Sequence, residues 1–255
     1  MVPLGQMESV KPGDSERAAK LMQKKRYSVV PTTRNEKTFN SVFTPGQKTG
    51  GNLAHESDTK LSDHIPDSTP LAEAFSMFDN REWYLTLRSN HVSGLITYWA
   101  FNNREFRVQL YAGLSRVEEL SRSVLVKDEI GILDKNGLCL SPKEDERIQK
   151  RIKSEWKENG GNRFIDELDY RQVHRALSKH QPWRTFLNKC IPGRIGNSEY
   201  GQRFNFTDIR NAVMHGRTIF PTYVEFKKRS AKVREIRKFI KYLDSYMDGE
   251  PDRIT

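Results

Sequence analysis

Cysteine is nearly missing from this chain: Cys139 and Cys190 are the two present in 255 residues. Two cannot build a disulfide framework, nor a four-ligand zinc site of their own, and a reducing compartment suits them. Long apolar runs are missing as well, none approaching the ~20 residues of a membrane span. The opening MVPLGQMESVKPGDS has neither the basic nor the apolar region of an export signal. The expectation is a cytoplasmic protein. G-x-S-x-G, H-E-x-x-H, Walker A and paired C-x-x-C motifs do not occur, which removes the commonest hydrolase, metalloprotease and NTPase readings.

Apolar material is not short. The AVILMFWYC set makes up 36%, with 13 Phe, 9 Tyr and 4 Trp, enough for cores and too much for wholesale disorder. At this length two domains are comfortable. Lys and Arg number 43 against 33 Asp and Glu, a net charge of +10, which favours a polyanionic partner. Residues 1–105 hold 13 basic and 12 acidic side chains, whereas 106–255 hold 30 and 21. Any polyanion should therefore meet the second half.

The first half contains an internal repeat. Residues 16–44 run as a helix (ERAAKLMQKK), a strand (YSVVP), a polar loop and a strand ending in threonine (FNSVFT). Residues 72–97 repeat that order with AEAFSMFDN, EWYLTL, RSNH and VSGLIT. Aligning Ala18 with Ala74 places Leu21 on Met77, Met22 on Phe78, Tyr27 on Trp83 and Val29 on Leu85. A three-residue loop difference then brings Thr44 onto Thr97. Either unit alone is too small for a useful core, so two packed face to face, with a cleft between them, are the economical solution. Residues 45–64, rich in Gly, Ser, Asp and Lys, read as the connector.

After about residue 104 the apolar period changes from 2 to 3.6. Phe106, Leu110, Leu114, Val117, Leu120 and Val124 lie on one stripe of a helix over 104–126. Ser141-Pro142 is a helix start, and Ile148, Ile152 and Trp156 form an i, i+4 ladder ended by Gly160-Gly161. Shorter helices are expected at 164–178 and 182–190, split by His180-Gln181-Pro182. Another spans 207–215 and stops at Gly216. Phe226, Val233, Ile236, Ile240, Leu243 and Met247 mark a long basic final helix. The fold class is thus α+β: an α/β pair over 1–104, with units at about 1–49 and 60–104, then an all-helical bundle of four to six helices over 105–255. Trp83, Trp99, Trp156 and Trp183 fall on apolar stripes or beside strands and read as core or interface residues.

Of the six histidines, His55, His64 and His91 sit in polar stretches and read as loop residues, while His174 and His180 lack metal-ligand spacing. His215 differs. It ends the run Arg210-Asn211-Ala212-Val213-Met214-His215 in the basic half, where Asn211 shares its helical face and Arg210 stands about 140° round. At a helix C-terminus the macrodipole favours the imidazolium and a neighbouring guanidinium opposes it, the balance that acid–base work near neutrality needs. Cleaving RNA without a metal takes a base for the 2′-OH, an acid for the leaving 5′-oxygen and a fixed cation for the phosphorane. A single histidine does not easily serve both sides of an in-line attack, and a two-fold dimer supplies two of each group. The basic run Lys227-Lys228-Arg229, together with Arg217, provides cations able to track RNA phosphates. A solvated helix face is the competing reading of the same run.

This motif, R-N-x-x-x-H, followed by Gly and a long helix and preceded by the helix LYAGLSRVEELSRSVL, resembles the HEPN domain over about 106–247. That resemblance implies a dimeric all-helical fold, often a metal-independent endoribonuclease, with Arg210, His215 and Asn211 in the catalytic positions and toxin-like or defence biology. The repeat, with its Gly94-Leu95-Ile96-Thr97, resembles a degenerate pair of CBS motifs. By that resemblance an adenine nucleotide would meet Thr44 and Thr97 in the central cleft. The ribose-binding Asp of the CBS pattern is Ala100 in the second unit and Gln47 in the first, and Ser41 replaces the first unit's Gly. The combined expectation is a homodimeric RNA-cleaving enzyme with no required cofactor, regulated or dimerised by the CBS-like half. The alternative is a non-catalytic, nucleotide-responsive or RNA-binding dimeric module.

Overall fold

The structure, a computed structural model, describes residues 2–3, 8–25, 29–32, 41–45, 54–89, 91–130, 138, 140–159, 164–193 and 195–249. Two compact units emerge: Met1–Asn103 with Phe220–Lys227, and Arg104–Ile219 with Lys228–Thr255. The first break lies one residue before the expected 104/105 junction, and residues 220–227, expected in the bundle, are grouped with the first unit.

The first unit contains β1 (Val2–Pro3), α1 (Ser15–Lys25), β2 (Val30–Pro31), β3 (Ser41–Pro45), β4 (Ala54–Asp58), β5 (His64–Pro66), α2 (Leu71–Met77), β6 (Trp83–Arg88) and β7 (His91–Thr97). Two sheets form, ordered β2-β3-β4 and β1-β7-β6-β5. In the second sheet β5 pairs parallel to β6 across α2, and β7 returns antiparallel. In the first, Val10 bridges Thr32 in parallel across α1, and β3 returns antiparallel to β2. Both therefore share a helix–strand–strand order, opened by strand β5 in the second sheet and by the single Val10 bridge in the first. β4 adds to the outer edge of β3, and β1 to that of β7.

Alternation along the strands decides which residues face which core. Val29 and Val42 point with Leu85 and Leu95 into a core shared by the two sheets. Their neighbours Val30 and Phe43 point the other way, onto Ala18 and Met22 of α1. The residues aligned in the sequence thus occupy matching places: Val29 with Leu85 and Val42 with Leu95 in the shared core, Ala18 with Ala74 buried on the helices, and Met22 buried on α1 with Phe78 buried at the C-cap of α2. Tyr27 lies outside the described residues. The expected connector 45–64 is corrected, because its described part carries β4, a 3-10 turn at Leu61–Asp63 and the start of β5. Its polar composition hid the strand, whose Glu56 is used structurally. The Ser41 hydroxyl donates to Glu56 Oε1 (2.5 Å), and the Gly13 amide, at φ +80°, donates to Oε2 (2.7 Å). His55 and His91, expected in loops, stand in strands β4 and β7. His64 opens β5 and contacts the Lys60 carbonyl through Nδ1 at 2.8 Å.

Residues 220–227 join this unit through an aromatic core. Phe226 stacks edgewise on Phe75 and Phe78 and lies against Phe101. The Asn102 amide brackets the Phe220 backbone, accepting its N–H at 2.8 Å and donating to its carbonyl at 3.0 Å. Tyr223 donates to the Phe78 carbonyl at 2.9 Å, and burial, with Glu82 nearby, pushes its hydroxyl up to about 12. Trp99, expected in a core or interface, is 52% exposed.

The second unit is helical: α3 (Arg104–Lys127), α4 (Pro142–Asn159), α5 (Tyr170–Lys179), α6 (Gln181–Cys190), α7 (Asn197–Phe204), α8 (Thr207–Met214) and the greater part of α9 (Tyr223–Asp248). These seven exceed the expected four to six. The extra one is α7, whose Tyr200 and Phe204, one turn apart, are fully buried among polar neighbours. Every residue of the α3 stripe named above is buried. Helix α5 starts later than expected, at Tyr170, because Asp169 and Gln172 form a capping box whose two hydrogen bonds are each 2.9 Å. Ser141 and Glu144 make a second box at α4, and Arg175 of α5 grips the same Glu144 at 2.9 and 3.2 Å. Those bonds hold the Glu144 carboxyl down at about 2. Trp183 is fully buried, its indole N–H donating to Tyr200 (3.3 Å) with Phe239 edge-on. The side chains of Ile152 and Trp156 lie outside the described residues. No helix among the described residues is long and apolar enough to cross a membrane.

Candidate active site

Helix α8 carries the motif, and its local sequence fixes where each member points. Asp208 in the first turn complements the macrodipole, while Ile209, Ala212 and Val213 are buried and set the helix rotation. The far end closes by a Schellman arrangement: Arg217 N–H donates to the Ala212 carbonyl (2.8 Å) and Gly216 N–H to Val213 (3.3 Å). Gly216 takes φ +65° there, a backbone region that L side chains rarely adopt. His215 is consequently the residue that caps α8, at φ −95°, rather than its last helical residue. Its ring is exposed, and its backbone N–H bonds to the Asn211 carbonyl at 3.1 Å. Asn211 is half-buried.

Arg210 faces the bundle. Its guanidinium lies 6.0 Å from the centre of the Tyr170 ring and 3.6 Å from Glu118 Oε2 of α3. The other oxygen of Glu118 accepts from Arg122 at 2.9 Å, and Arg122 also donates to the Ile165 and Leu168 carbonyls. One carboxylate is therefore shared by two arginines. Burial raises the Tyr170 hydroxyl far above its usual range. Next to Tyr170, His174 lies 5.4 Å from the Tyr200 ring, and its Nε2 has no hydrogen-bond partner among the described residues. Burial drives its imidazole down to about 4, outweighing the Phe204 carbonyl that favours the charged form. The motif is thus split between an exposed imidazole and an arginine engaged with the bundle, as the 140° between them on the helix requires.

The remaining expected site residues are dispersed. Arg217 is exposed directly after Gly216. Lys227 belongs to the first unit, its ammonium 5.0 Å from the Tyr223 ring. Lys228 and Arg229 belong to the second, and Arg229 donates to the Ile219 carbonyl. Thr44 is half-buried in β3 opposite His55. Thr97 closes β7 opposite Trp83 and precedes a 3-10 turn, which it does not cap through its side chain.

Two features escaped the sequence reading. Arg107 of α3 brings Nη1 to 3.5 Å from the position a Cβ on Gly216 would take; nothing in a linear sequence links residues 107 and 216. His180, which shows no carboxylate at ligand spacing, has its Nε2 2.5 Å from Asp128 Oδ2, and Tyr246 donates to that same oxygen at 2.5 Å. Among the described residues, no group of three or more His, Cys, Asp or Glu is placed to hold a metal. No protein-family model, curated protein or solved structure matches the chain.

Proposed function

We propose that the helical unit cleaves RNA without a metal cofactor, as a homodimer, at the C-terminal end of α8. A base takes the 2′-OH proton, the 2′-oxygen attacks the adjacent phosphorus, the P–O5′ bond breaks, and the leaving 5′-oxygen is protonated. The products are a 2′,3′-cyclic phosphate and a 5′-OH. His215 of one protomer and its copy in the other serve as base and acid, with Arg210 and Asn211 completing the HEPN-like motif and stabilising charge on the phosphorane. The 2′-OH requirement excludes DNA as a substrate.

The observation that carries this reading is the exposed imidazole of His215, fixed at the end of α8 by a glycine turn, with no side-chain hydrogen bond among the described residues. Val108 and Met214, at 57% and 45% exposure, add apolar surface on the helices that bear the site, in keeping with a second copy covering it. In the first unit, the repeated helix–strand–strand order supports a CBS-like module that sets dimer geometry or takes an adenine nucleotide near Thr44 and Thr97. A cytoplasmic location belongs to the same proposal. The engagement of Arg210 with Glu118 favours a second reading, a non-catalytic RNA-binding dimer in which Arg210 braces the bundle.

Total RNA incubated with the purified protein in excess EDTA separates the two. Cleavage should proceed, and His215→Ala should lower it at least 100-fold, with Arg210→Ala also impaired. Cleavage that survives in His215→Ala, or stops in EDTA, overturns the mechanism; RNA binding without cleavage selects the second reading.

A further inference from the structure

We propose that Arg107 is a further catalytic residue of this site, contacting the scissile phosphate beside His215. The inference rests on the RNA-cleavage reading above and adds a residue that the R-N-x-x-x-H motif does not contain.

Arg107 lies in the first turn of α3, more than one hundred residues from the motif in sequence, yet its Nη1 stands 3.5 Å from where a Cβ on Gly216 would be. Gly216 is bonded to His215, so the guanidinium lies beside the backbone turn that carries the imidazole. A Cβ at 216 would stand in ordinary contact with Nη1, at 3.5 Å, so the glycine is required by its φ of +65° and the guanidinium lies within contact range of the turn. Arg107 makes no ion pair among the described residues. Arg210 is in the opposite condition, with its charge shared between Glu118 and the Tyr170 ring. A dianionic phosphorane is best stabilised by a cation whose donors are not already committed to a carboxylate, because a committed one must break that pair to engage it. Arg107 meets that condition outright, and Arg210 meets it once it leaves Glu118, 3.6 Å away. A guanidinium also offers two parallel N–H donors to two phosphate oxygens, which an ammonium cannot.

Exposed Tyr111 stands one helical turn from Arg107 on α3. The ligand class this face suits is therefore single-stranded RNA, whose phosphate meets the guanidinium and whose flanking base can lie on an aromatic ring.

Two measurements test the assignment. In EDTA, Arg107→Ala should lower kcat/KM for a short single-stranded RNA about 100-fold, and Arg107→Lys should restore only part of it. In a His215→Ala background, which uncouples binding from cleavage, adding Arg107→Ala should reduce the slope of log affinity against log salt by about 0.7, the loss of one phosphate contact on a single strand. Arg107→Gln stands in if the alanine variant does not fold, and Arg116→Ala, an arginine on α3 paired with Glu119 and Asp244, should change neither readout.

An unchanged salt slope overturns the assignment even where the rate falls, since Arg107 would then act by supporting the Gly216 turn. Full activity in Arg107→Ala with loss in His215→Ala overturns the assignment alone and leaves the cleavage reading standing. A parent chain that neither cleaves nor binds RNA overturns both.

Discussion

Replacing His174 with phenylalanine should make the helical unit less stable at neutral pH and more stable in mild acid. The reason is the environment of the ring, set between Tyr170 and Tyr200 with Nε2 unpartnered and its imidazole held at about 4 instead of 6.5. Because the folded value is the lower one, the unfolded chain binds the proton first, so stability is intact above about pH 6.5 and is lost as the pH falls toward 4. From those two values the wild-type protein gives up about 2 kcal/mol by pH 5 and about 3 kcal/mol by pH 4 through this residue alone. Phenylalanine keeps the ring contacts and takes up no proton. Leaving the Phe204 carbonyl without its donor costs about 1 kcal/mol at pH 7. The two stability curves should therefore cross near pH 6, with the variant ahead by about 1 kcal/mol at pH 5. Urea denaturation followed by the helical circular dichroism signal, repeated from pH 7 to 4.5, measures the difference, and carboxylate titrations common to both chains cancel in it. Parallel curves, with no crossing in that range, would refute the assigned burial of His174.

Two further outcomes concern other parts of the fold. Glu144→Gln removes the charge that joins α4 to Arg175; a carboxyl held at about 2 sets a ceiling of about 3 kcal/mol, and screening of two side chains about a quarter exposed lowers that to about 1–2 kcal/mol. This stabilisation is complete above about pH 4.5 and fades as the pH falls toward 2, so denaturation midpoints of parent and variant should converge in strong acid; a constant gap down to pH 2 contradicts the ion pair. Asn102→Ala removes both hydrogen bonds to the buried Phe220 backbone and should cost about 2 kcal/mol, read as a lowered urea midpoint; a loss under 0.5 kcal/mol means that the bracket is not stabilising.

Legibility from the sequence varied with how local the deciding physics is. The α3 stripe and the Ser141 helix start depend on neighbours within a turn or two, and they were readable. The repeat was readable because alternation in both copies sends Val42 and Leu95 into the shared core, and Val29 with Leu85. β4 was missed because Ala54–Asp58 is polar, its Glu56 satisfying Ser41 and the Gly13 amide instead of an apolar face. α7 was missed because a single pair of buried aromatics over eight residues gives too short a period. At the candidate site, the order of Arg210, Asn211, His215 and Gly216 was visible, and so was the helix angle that separates the two ends of the motif. The pairing of Arg210 with Glu118, and of His180 with Asp128, was not.

What the sequence determined by itself was composition, period and spacing: a near-neutral α/β repeat, a basic helical half, and one histidine placed before a helix-stopping glycine. These follow from side-chain sterics and backbone preferences that act over a few residues. Tertiary structure alone decided that Glu118 stands 3.6 Å from Arg210, that Arg107 comes up beside Gly216, and that residues 220–227 complete the aromatic core of the first unit. Each of these depends on side chains separated by about ninety to well over one hundred residues meeting at a few ångströms, and no local preference encodes such a meeting.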